Sequence, residues 1–149
     1  SEHLGDFHLQ ILLSILESAD SSLKELCLHS CHNIQTDLQY DLFVVLESPE
    51  CKLETLRLSG FSLDFWVCRE LASMFQSKFC HLTTVDLTNC IYSYTQDCSG
   101  YFSKHEKKEK YEDFIDELTP LTLISAGLIG PLCKLKEFSM MSCFLRSRC

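Results

Sequence analysis

The chain has 149 residues, of which 46% are hydrophobic and 23% are charged, and this composition excludes a disordered tail and provides the core of one folded domain. Its net charge of −8 argues against sequence-independent binding of nucleic acid, which needs an excess of Lys and Arg to displace counterions. The most apolar stretch, residues 118–132, contains two prolines and two glycines and is shorter than the roughly 20 residues that cross a bilayer. We therefore expect a protein that binds neither nucleic acid nor a membrane.

The spacing of apolar residues changes along the chain, and the change separates predicted helices from predicted strands. A first amphipathic helix is predicted from Phe7 to Leu16. Two further helices are indicated by apolar stripes at helical spacing, one at Leu38, Leu42, Val45 and Leu46 and the other at Trp66, Leu71, Met74 and Phe75. A fourth helix is predicted to begin at Thr119 and Pro120, because proline is tolerated in the first turn of a helix.

Between these helices one short motif occurs four times, and this repeat is the most informative feature of the sequence. The motifs begin at Leu23, Leu53, Leu82 and Leu135, and each has apolar residues at its first, fourth and sixth positions. The first three motifs start 30 and then 29 residues apart. The repeat predicts four parallel strands in chain order, with the apolar side chains buried on one face. These are Leu26, Leu28, Leu56, Leu58, Val85, Leu87, Phe138 and Met140.

Ten cysteines are the unusual feature of the composition, and six of them occupy two repeating positions. Cys51, Cys80 and Cys133 stand two residues before a motif; Cys31, Cys90 and Cys143 stand eight residues after the first residue of one. Such repetition indicates buried, reduced thiols that act as small hydrophobic residues. Each set has three members, which disulfides cannot pair completely, so we predict a reduced and cytoplasmic protein.

The third and fourth motifs are separated by 53 residues, about 24 more than one unit needs. We assign the excess to an insertion at residues 92–116, within the third unit. The alternative is a degenerate extra motif at residues 118–123, but Pro120 lacks the N–H that a strand donates, and only 17 residues would then remain before Leu135. The whole chain, residues 1–149, is interpreted as a single fragment of about four strand–helix units, and we expect both of its ends to be cut from a longer array.

Units of this length, with cysteines before and after the strand, resemble the leucine-rich repeats of ribonuclease inhibitor and of NOD-like receptors. The resemblance covers residues 7–145 apart from the insertion, and the sequence departs from the pattern at Phe61, at Met140 and in the insertion. It implies an α/β leucine-rich-repeat solenoid, a horseshoe fragment with parallel strands on the concave face and helices on the convex face. It also implies that the chain binds a partner protein.

Residues that could bind a metal or support catalysis are not expected to lie together in the predicted repeat. Cys27, His29, Cys31 and His32 resemble a zinc cluster only by their spacing. On a strand, Cys27 and His29 point to the face opposite Leu26, whereas Cys31 turns inward. No phosphate-binding loop or paired-carboxylate motif is present, and no cysteine has an assignable histidine partner. We therefore predict no catalytic site, no metal and no cofactor, so that a thiol enzyme is the least favoured function.

The predicted binding surface is the concave face, where the strand residues between the buried positions point outward and stack in columns. One column is Cys27, Arg57, Asp86 and Ser139, and the next is His29, Ser59, Thr88 and Met141. The flanking columns are Lys24, Glu54, Thr83 and Lys136, and then Glu25, Thr55, Thr84 and Glu137. Neighbouring Arg57 and Asp86 are expected to form an exposed ion pair.

The insertion offers a second candidate surface. It carries Tyr92, Tyr94, Tyr101, Phe102 and Tyr111 beside a run of charged residues at 104–110. Tyrosine is favoured at the centres of protein interfaces, so this segment is a possible binding loop. The alternative is a solvated surface loop without a partner.

Two functions fit this interpretation. The first is the ligand-sensing or autoinhibitory repeat region of an intracellular NOD-like receptor, and the second is the substrate-recognition repeat of a ubiquitin-ligase adaptor. A nucleotide-binding P-loop module upstream of Ser1 would indicate the receptor, and an adaptor-docking box there would indicate the ligase.

Overall fold

The computed structural model describes residues 5–31, 34–93, 120–140 and 144–146. Within these ranges there are four helices, α1 (Asp6–Leu16), α2 (Thr36–Leu46), α3 (Phe65–Phe75) and α4 (Pro120–Ile129). The strands are β1 (Glu25–Leu28), β2 (Thr55–Ser59), β3 (Ser62–Leu63), β4 (Thr84–Thr88), β5 (Ile91–Ser93), β6 (Glu137–Ser139) and β7 (Phe144–Arg146). Met141, Cys143 and the aromatic residues Tyr94, Tyr101, Phe102 and Tyr111 lie outside the described ranges.

The main sheet has four parallel strands in the order β1-β2-β4-β6, so the predicted order and direction of the strands are confirmed. The fourth positions of the motifs are register partners: Leu26 faces Leu56, Leu56 faces Val85, and Val85 faces Phe138. The chain is therefore a mixed α/β protein built on a parallel sheet, with a helix between successive strands of that sheet.

A second, smaller parallel sheet, in the order β3-β5-β7, was not predicted from the sequence. The chain enters β3 and β5 after a residue with positive φ, namely Gly60 at 81° and Asn89 at 52°, and Ser30 has a φ of 58° at the same point after β1. Glycine and asparagine tolerate this left-handed conformation better than most residues do. Strand β5 contains Tyr92, so the first two residues of the predicted insertion belong to this sheet.

The core lies between the main sheet and the helices. Leu26, Leu28, Leu56, Leu58, Val85 and Leu87 are buried as predicted. Phe138 and Met140, which were also predicted to be buried, are only half-buried. The difference arises because β6 is the last strand of the sheet and has a described neighbour, β4, on one side only. The core therefore becomes less covered towards this edge.

The helices pack in chain order, α1 on α2, α2 on α3, and α3 on α4. Helix α3 begins where the Asp64 carboxylate accepts a hydrogen bond of 2.8 Å from the Val67 backbone N–H, which satisfies one of the free donors at the helix start. Residues 120–123, where the degenerate motif would have required a strand, are helical, and Pro120 is the first residue of α4.

Buried Gln39 links two consecutive units. Its Nε2 donates to the Ile34 carbonyl at 2.9 Å, and its Oε1 accepts from the Ser62 backbone N–H at 3.1 Å. Both ends of this buried amide are thus hydrogen-bonded, which removes the penalty for burying it. Helix α2 is thereby tied to the chain before it and to strand β3 after it.

A basic residue immediately before each of the last three motifs also binds the preceding unit. The Lys52 ammonium donates to the Ala19 carbonyl at 3.3 Å, and His81 Nδ1 lies 3.0 Å from the Cys51 carbonyl oxygen. Lys134 donates to two carbonyls, those of Lys78 at 3.0 Å and Cys80 at 3.1 Å. Neighbouring units therefore contact each other through polar groups just before the strands begin and through apolar side chains in the core.

Helices α3 and α4 approach each other closely at Gly127. A Cβ atom placed on this residue would lie 2.8 Å from the Ala72 Cα and 3.0 Å from the Ala72 carbonyl oxygen. Both are backbone atoms, so side-chain rotation cannot relieve the overlap. The Gln76 side chain spans the same interface, where its Nε2 donates to the Gly127 carbonyl.

We expect Gly127→Ala to destabilise the protein by about 1–3 kcal/mol, because α4 must shift away from α3. In an open helical site the same change would stabilise by about 0.5–1 kcal/mol, so the sign of the effect is informative. Urea unfolding measures it, and Ser125→Ala on the exposed side of α4 is the control, with an expected change below about 0.5 kcal/mol. Stabilisation by Gly127→Ala would contradict the close approach.

Candidate protein-binding surface

The candidate site is one face of the main sheet, which we call the exposed sheet face. Because side chains alternate along a strand, the face opposite the core carries every second residue. Its members are Glu25, Cys27, Thr55, Arg57, Ser59, Thr84, Asp86, Thr88, Glu137 and Ser139. Each is exposed or half-buried, whereas the intervening residues of β1, β2 and β4 are buried.

The structure brings the first predicted column together. Cys27 is the register partner of Arg57, Arg57 that of Asp86, and Asp86 that of Ser139. In the second column Ser59 is the partner of Thr88, and His29 is exposed just beyond the end of β1. Neighbouring strands are about 4.8 Å apart, so both columns present adjacent side chains to one side of the sheet.

The predicted ion pair between Arg57 and Asp86 is wrong. Arg57 Nη1 instead lies 3.1 Å from Glu25 Oε1, on the strand at its other side. Asp86 accepts a hydrogen bond of 2.7 Å from the Thr88 hydroxyl, two residues along its own strand. The longer glutamate reaches the guanidinium diagonally, and a hydroxyl on the same face satisfies the aspartate. The sequence shows Glu25 in the flanking column, but diagonal pairing cannot be read from columns alone.

A second ion pair stands beside the exposed sheet face at the start of the strands. Lys24 Nζ lies 2.6 Å from Glu54 Oε1, and this contact lowers the pKa of Glu54. The side chains of both pairs are at least half exposed, so solvent screening leaves each pair with little effect on stability. The two pairs bring four charged groups together, Lys24 and Glu54 just before β1 and β2, and Glu25 and Arg57 on these strands.

The exposed sheet face also carries hydroxyl groups and further carboxylates. On β4 and β6, Thr84, Thr88 and Ser139 supply hydroxyl groups and Asp86 and Glu137 supply carboxylates, and Thr55 and Ser59 add two hydroxyl groups on β2. Hydroxyls both donate and accept hydrogen bonds, so they can match many polar groups of a partner. The surface thus combines the ion-paired charges at β1 and β2 with hydroxyl groups on β2, β4 and β6 and carboxylates on β4 and β6.

The cysteines divide into one exposed thiol and a set of covered ones. Cys27 is exposed and lies 3.6 Å from Glu25 Oε1, whereas Cys31, Cys51, Cys80 and Cys90 are buried and Cys133 is half-buried. None of the seven cysteines within the described ranges, including buried Cys68, forms a disulfide. Burial separates Cys31 from Cys27 and His29, and the described residues contain no group of ligands that could hold a metal ion.

Burial changes the acidity of these thiols. It raises the pKa of Cys31 to about 12, with a smaller contribution from nearby Cys90. It also raises the pKa values of Cys51, Cys68 and Cys80 above the ordinary thiol value of 9.0. A protonated and inaccessible thiol is a poor nucleophile, so these groups act as parts of the core.

Comparison with known proteins gives no assignment. No family model matches the sequence, and no curated protein matches it. Among the described residues, no helix combines the length and the hydrophobicity that crossing a bilayer requires. The functional argument therefore depends on the geometry of the chain itself.

Thiol labelling should follow this division. We expect Cys27 to react with a maleimide in the native protein within minutes, and Cys31, Cys51, Cys80 and Cys90 to react only after unfolding. Mass spectrometry of labelled peptides assigns the sites, and Cys27→Ser is the control that removes the fast label from the peptide containing residue 27. Fast labelling of Cys31 or Cys80 in the folded state would contradict their burial.

The raised pKa of Cys31 also predicts loss of stability in alkali. The folded thiol keeps its proton above pH 9 while the unfolded thiol loses it, so its contribution is complete below pH 9 and is lost as the pH rises towards about 12. Each such thiol adds a slope of up to about 1.4 kcal/mol per pH unit. Urea unfolding from pH 8 to 11 should show a shallower fall for Cys31→Ala than for the unmodified chain. Equal slopes would rule out this linkage.

Proposed function

We propose that this chain is a protein-recognition module of the leucine-rich-repeat type, which binds a partner protein through its exposed sheet face. One observation supports this above the others: a parallel sheet has an exposed face. Parallel sheets are normally covered on both faces, because the helices that connect their strands lie against them. Here the connecting helices pack against the core, and the opposite face carries polar and charged side chains in aligned columns.

A solenoid accounts for this arrangement. If each strand–helix unit stacks on the one before it, all strands lie on one side and all helices on the other. Helices are wider than the spacing between strands, so such a stack curves and its strand face becomes concave. The proposed horseshoe is supported by the in-register order of β1, β2, β4 and β6 and by the chain-order packing of the helices.

Within this class we favour the ligand-sensing or autoinhibitory region of an intracellular NOD-like receptor, and we assign the chain no catalytic role. The lack of disulfides among the seven described cysteines supports a reducing compartment such as the cytoplasm, because cysteines in oxidising compartments are usually paired. The repeat subtype that the motif resembles supports the receptor. No contact among the described residues distinguishes the ubiquitin-ligase adaptor from the receptor.

Charge reversal at Arg57 tests the proposed surface. The natural partner can be identified by crosslinking in cells from a photoreactive residue placed at Ser59. We expect Arg57→Glu to weaken binding of that partner at least tenfold, because a reversed charge in a covered interface is left without a partner. The melting temperature should change little, since the pair with Glu25 is exposed.

Two control variants make this result specific. Arg69→Glu makes the same substitution at an exposed position on α3, in the helical layer, and should leave binding unchanged. Lys110→Glu places the same charge reversal in the predicted insertion. If Lys110→Glu abolishes binding while Arg57→Glu has no effect, the partner binds the insertion and the exposed sheet face is not the site.

A further inference from the structure

The C-cap residue of each of the first three helices occupies the same place in its unit, six positions before the motif. It is Glu17 after α1, Glu47 after α2 and Gln76 after α3. Gln76 connects its own unit to the next one, because its Nε2 donates to the Gly127 carbonyl and its Oε1 accepts from the Leu132 N–H at 3.4 Å. An amide can make both bonds, since it has a donor and an acceptor.

Glu47 holds this position at the contact between α2 and α3, and its carboxylate has no donor to offer. One of its oxygens, Oε1, is buried and has no hydrogen-bond partner among the described residues. A buried acceptor without a donor costs free energy, because it has lost its bonds to water. Glu17 is exposed to solvent, so the same carboxylate carries no such cost in the first unit.

A second carboxyl group lies at the contact between α2 and α3. Glu70 is half-buried on α3, which packs against α2. Burial raises the pKa of Glu70 above its ordinary value of 4.5, and the negative charge of nearby Glu47 raises it further. A hydrogen bond from Tyr40 and the charge of Arg69 oppose this rise in pKa without cancelling it. The two carboxylates therefore repel each other across the contact.

Few other ionisable groups surround this pair. Asp41 acts on Tyr40, and Glu47 also raises the pKa of buried Cys80. Helix α4, on the other side of α3, and strand β3, which also contacts α3, contain no ionisable residue. The protonation of Glu70 is thus controlled mainly from α2.

We propose that Glu47 and Glu70 form a proton-dependent joint between the second and third units, in which Glu70 takes up a proton from solvent as the pH falls and donates it in a hydrogen bond to Glu47. The proton removes the repulsion between the carboxylates and supplies the donor that the buried Glu47 oxygen lacks. Two close carboxyl groups that cannot both be charged commonly share one proton. Mild acid therefore tightens the contact between α2 and α3, whereas the amide of Gln76 holds α3 to α4 without a proton.

The substitution Glu47→Gln tests the joint, because it gives this position the same amide as Gln76. The pKa of Glu70 is raised in the folded chain, so stabilisation by its proton is complete below about pH 4.5 and is lost as the pH rises through the folded pKa. We expect Glu47→Gln to raise the melting temperature at pH 7.5 by about 2–4 °C, the effect of about one pKa unit. Circular dichroism should show that this gain disappears towards about pH 4.5.

Glu17→Gln is the matched control, since it makes the same substitution at the same position of the first unit, where the side chain is exposed. It should change the melting temperature by less than about 1 °C at either pH. A gain from Glu17→Gln equal to that from Glu47→Gln, or a gain from Glu47→Gln that does not vary with pH, would overturn the proposal.

A titration of the unmodified chain gives a second test that needs no stable variant. Carbon-13 NMR of the glutamate carboxyl groups should show Glu70 titrating with a midpoint above 4.5, and Glu47→Gln should lower that midpoint. A midpoint at or below 4.5 in the unmodified chain would also overturn the proposal. Neither experiment requires a partner protein, so the result is independent of the proposed binding function.

Discussion

The register of the main sheet is fixed by one hydrogen-bonding pattern, and the other features depend on it. At the start of each strand a single carbonyl accepts two N–H groups from the next strand. The Lys24 carbonyl serves β2, the Glu54 carbonyl serves β4, and the Thr83 carbonyl serves β6, with distances from 2.8 to 3.2 Å. A slip of one residue would exchange the buried and exposed faces of a strand. The pattern prevents this slip between β1 and β2, between β2 and β4, and between β4 and β6. The outward side chains of neighbouring strands therefore stay aligned in columns on the exposed sheet face.

The same register explains why neither the core nor the candidate surface is formed by a single unit: both are built from equivalent residues of several units. The buried residues of one strand are register partners of the equivalent residues in the neighbouring unit, and the surface residues have their register partners on other strands. A partner that covers the exposed sheet face would therefore contact residues far apart in the sequence but regularly spaced in space. This arrangement suits recognition of an extended surface better than that of a small molecule, for which a closed pocket is usual.

Much of this fold could be predicted from the sequence, because its main signals are repeated. Strands β1, β2, β4 and β6 follow from one motif that occurs four times, and α1 begins within one residue of its predicted start. The second sheet was missed because β3 has only two residues, too few to show alternation. Phe138 fits the motif as well as Leu56 does, and its partial exposure depends on its place at an edge. A motif carries no such information about position in the sheet.

The surface was predictable to a lesser degree. Columns follow from register, so Cys27, Arg57 and Asp86 were correctly placed side by side. Which residues pair on the surface depends on side-chain length and on local hydrogen bonds. Arg57 pairs with Glu25 and not with Asp86, because the longer Glu25 reaches it and Asp86 accepts a hydrogen bond from Thr88. The structural role of Gln39 could not be predicted either, because a single glutamine in a predicted helix is expected to face solvent. Its role appears only when both the Ile34 carbonyl and the Ser62 N–H are located.

The basic residues before the strands have a consequence for how such a chain can change over evolutionary time. Lys52, His81 and Lys134 bind main-chain carbonyls of the preceding unit, and those acceptors are present whatever side chains that unit carries. A duplicated or exchanged unit would thus find this contact already available. The same independence allows a long segment to separate β5 from α4 without disturbing the contact, since Lys134 still reaches the carbonyls of Lys78 and Cys80. Growth by duplication and tolerance of insertions therefore share one structural cause.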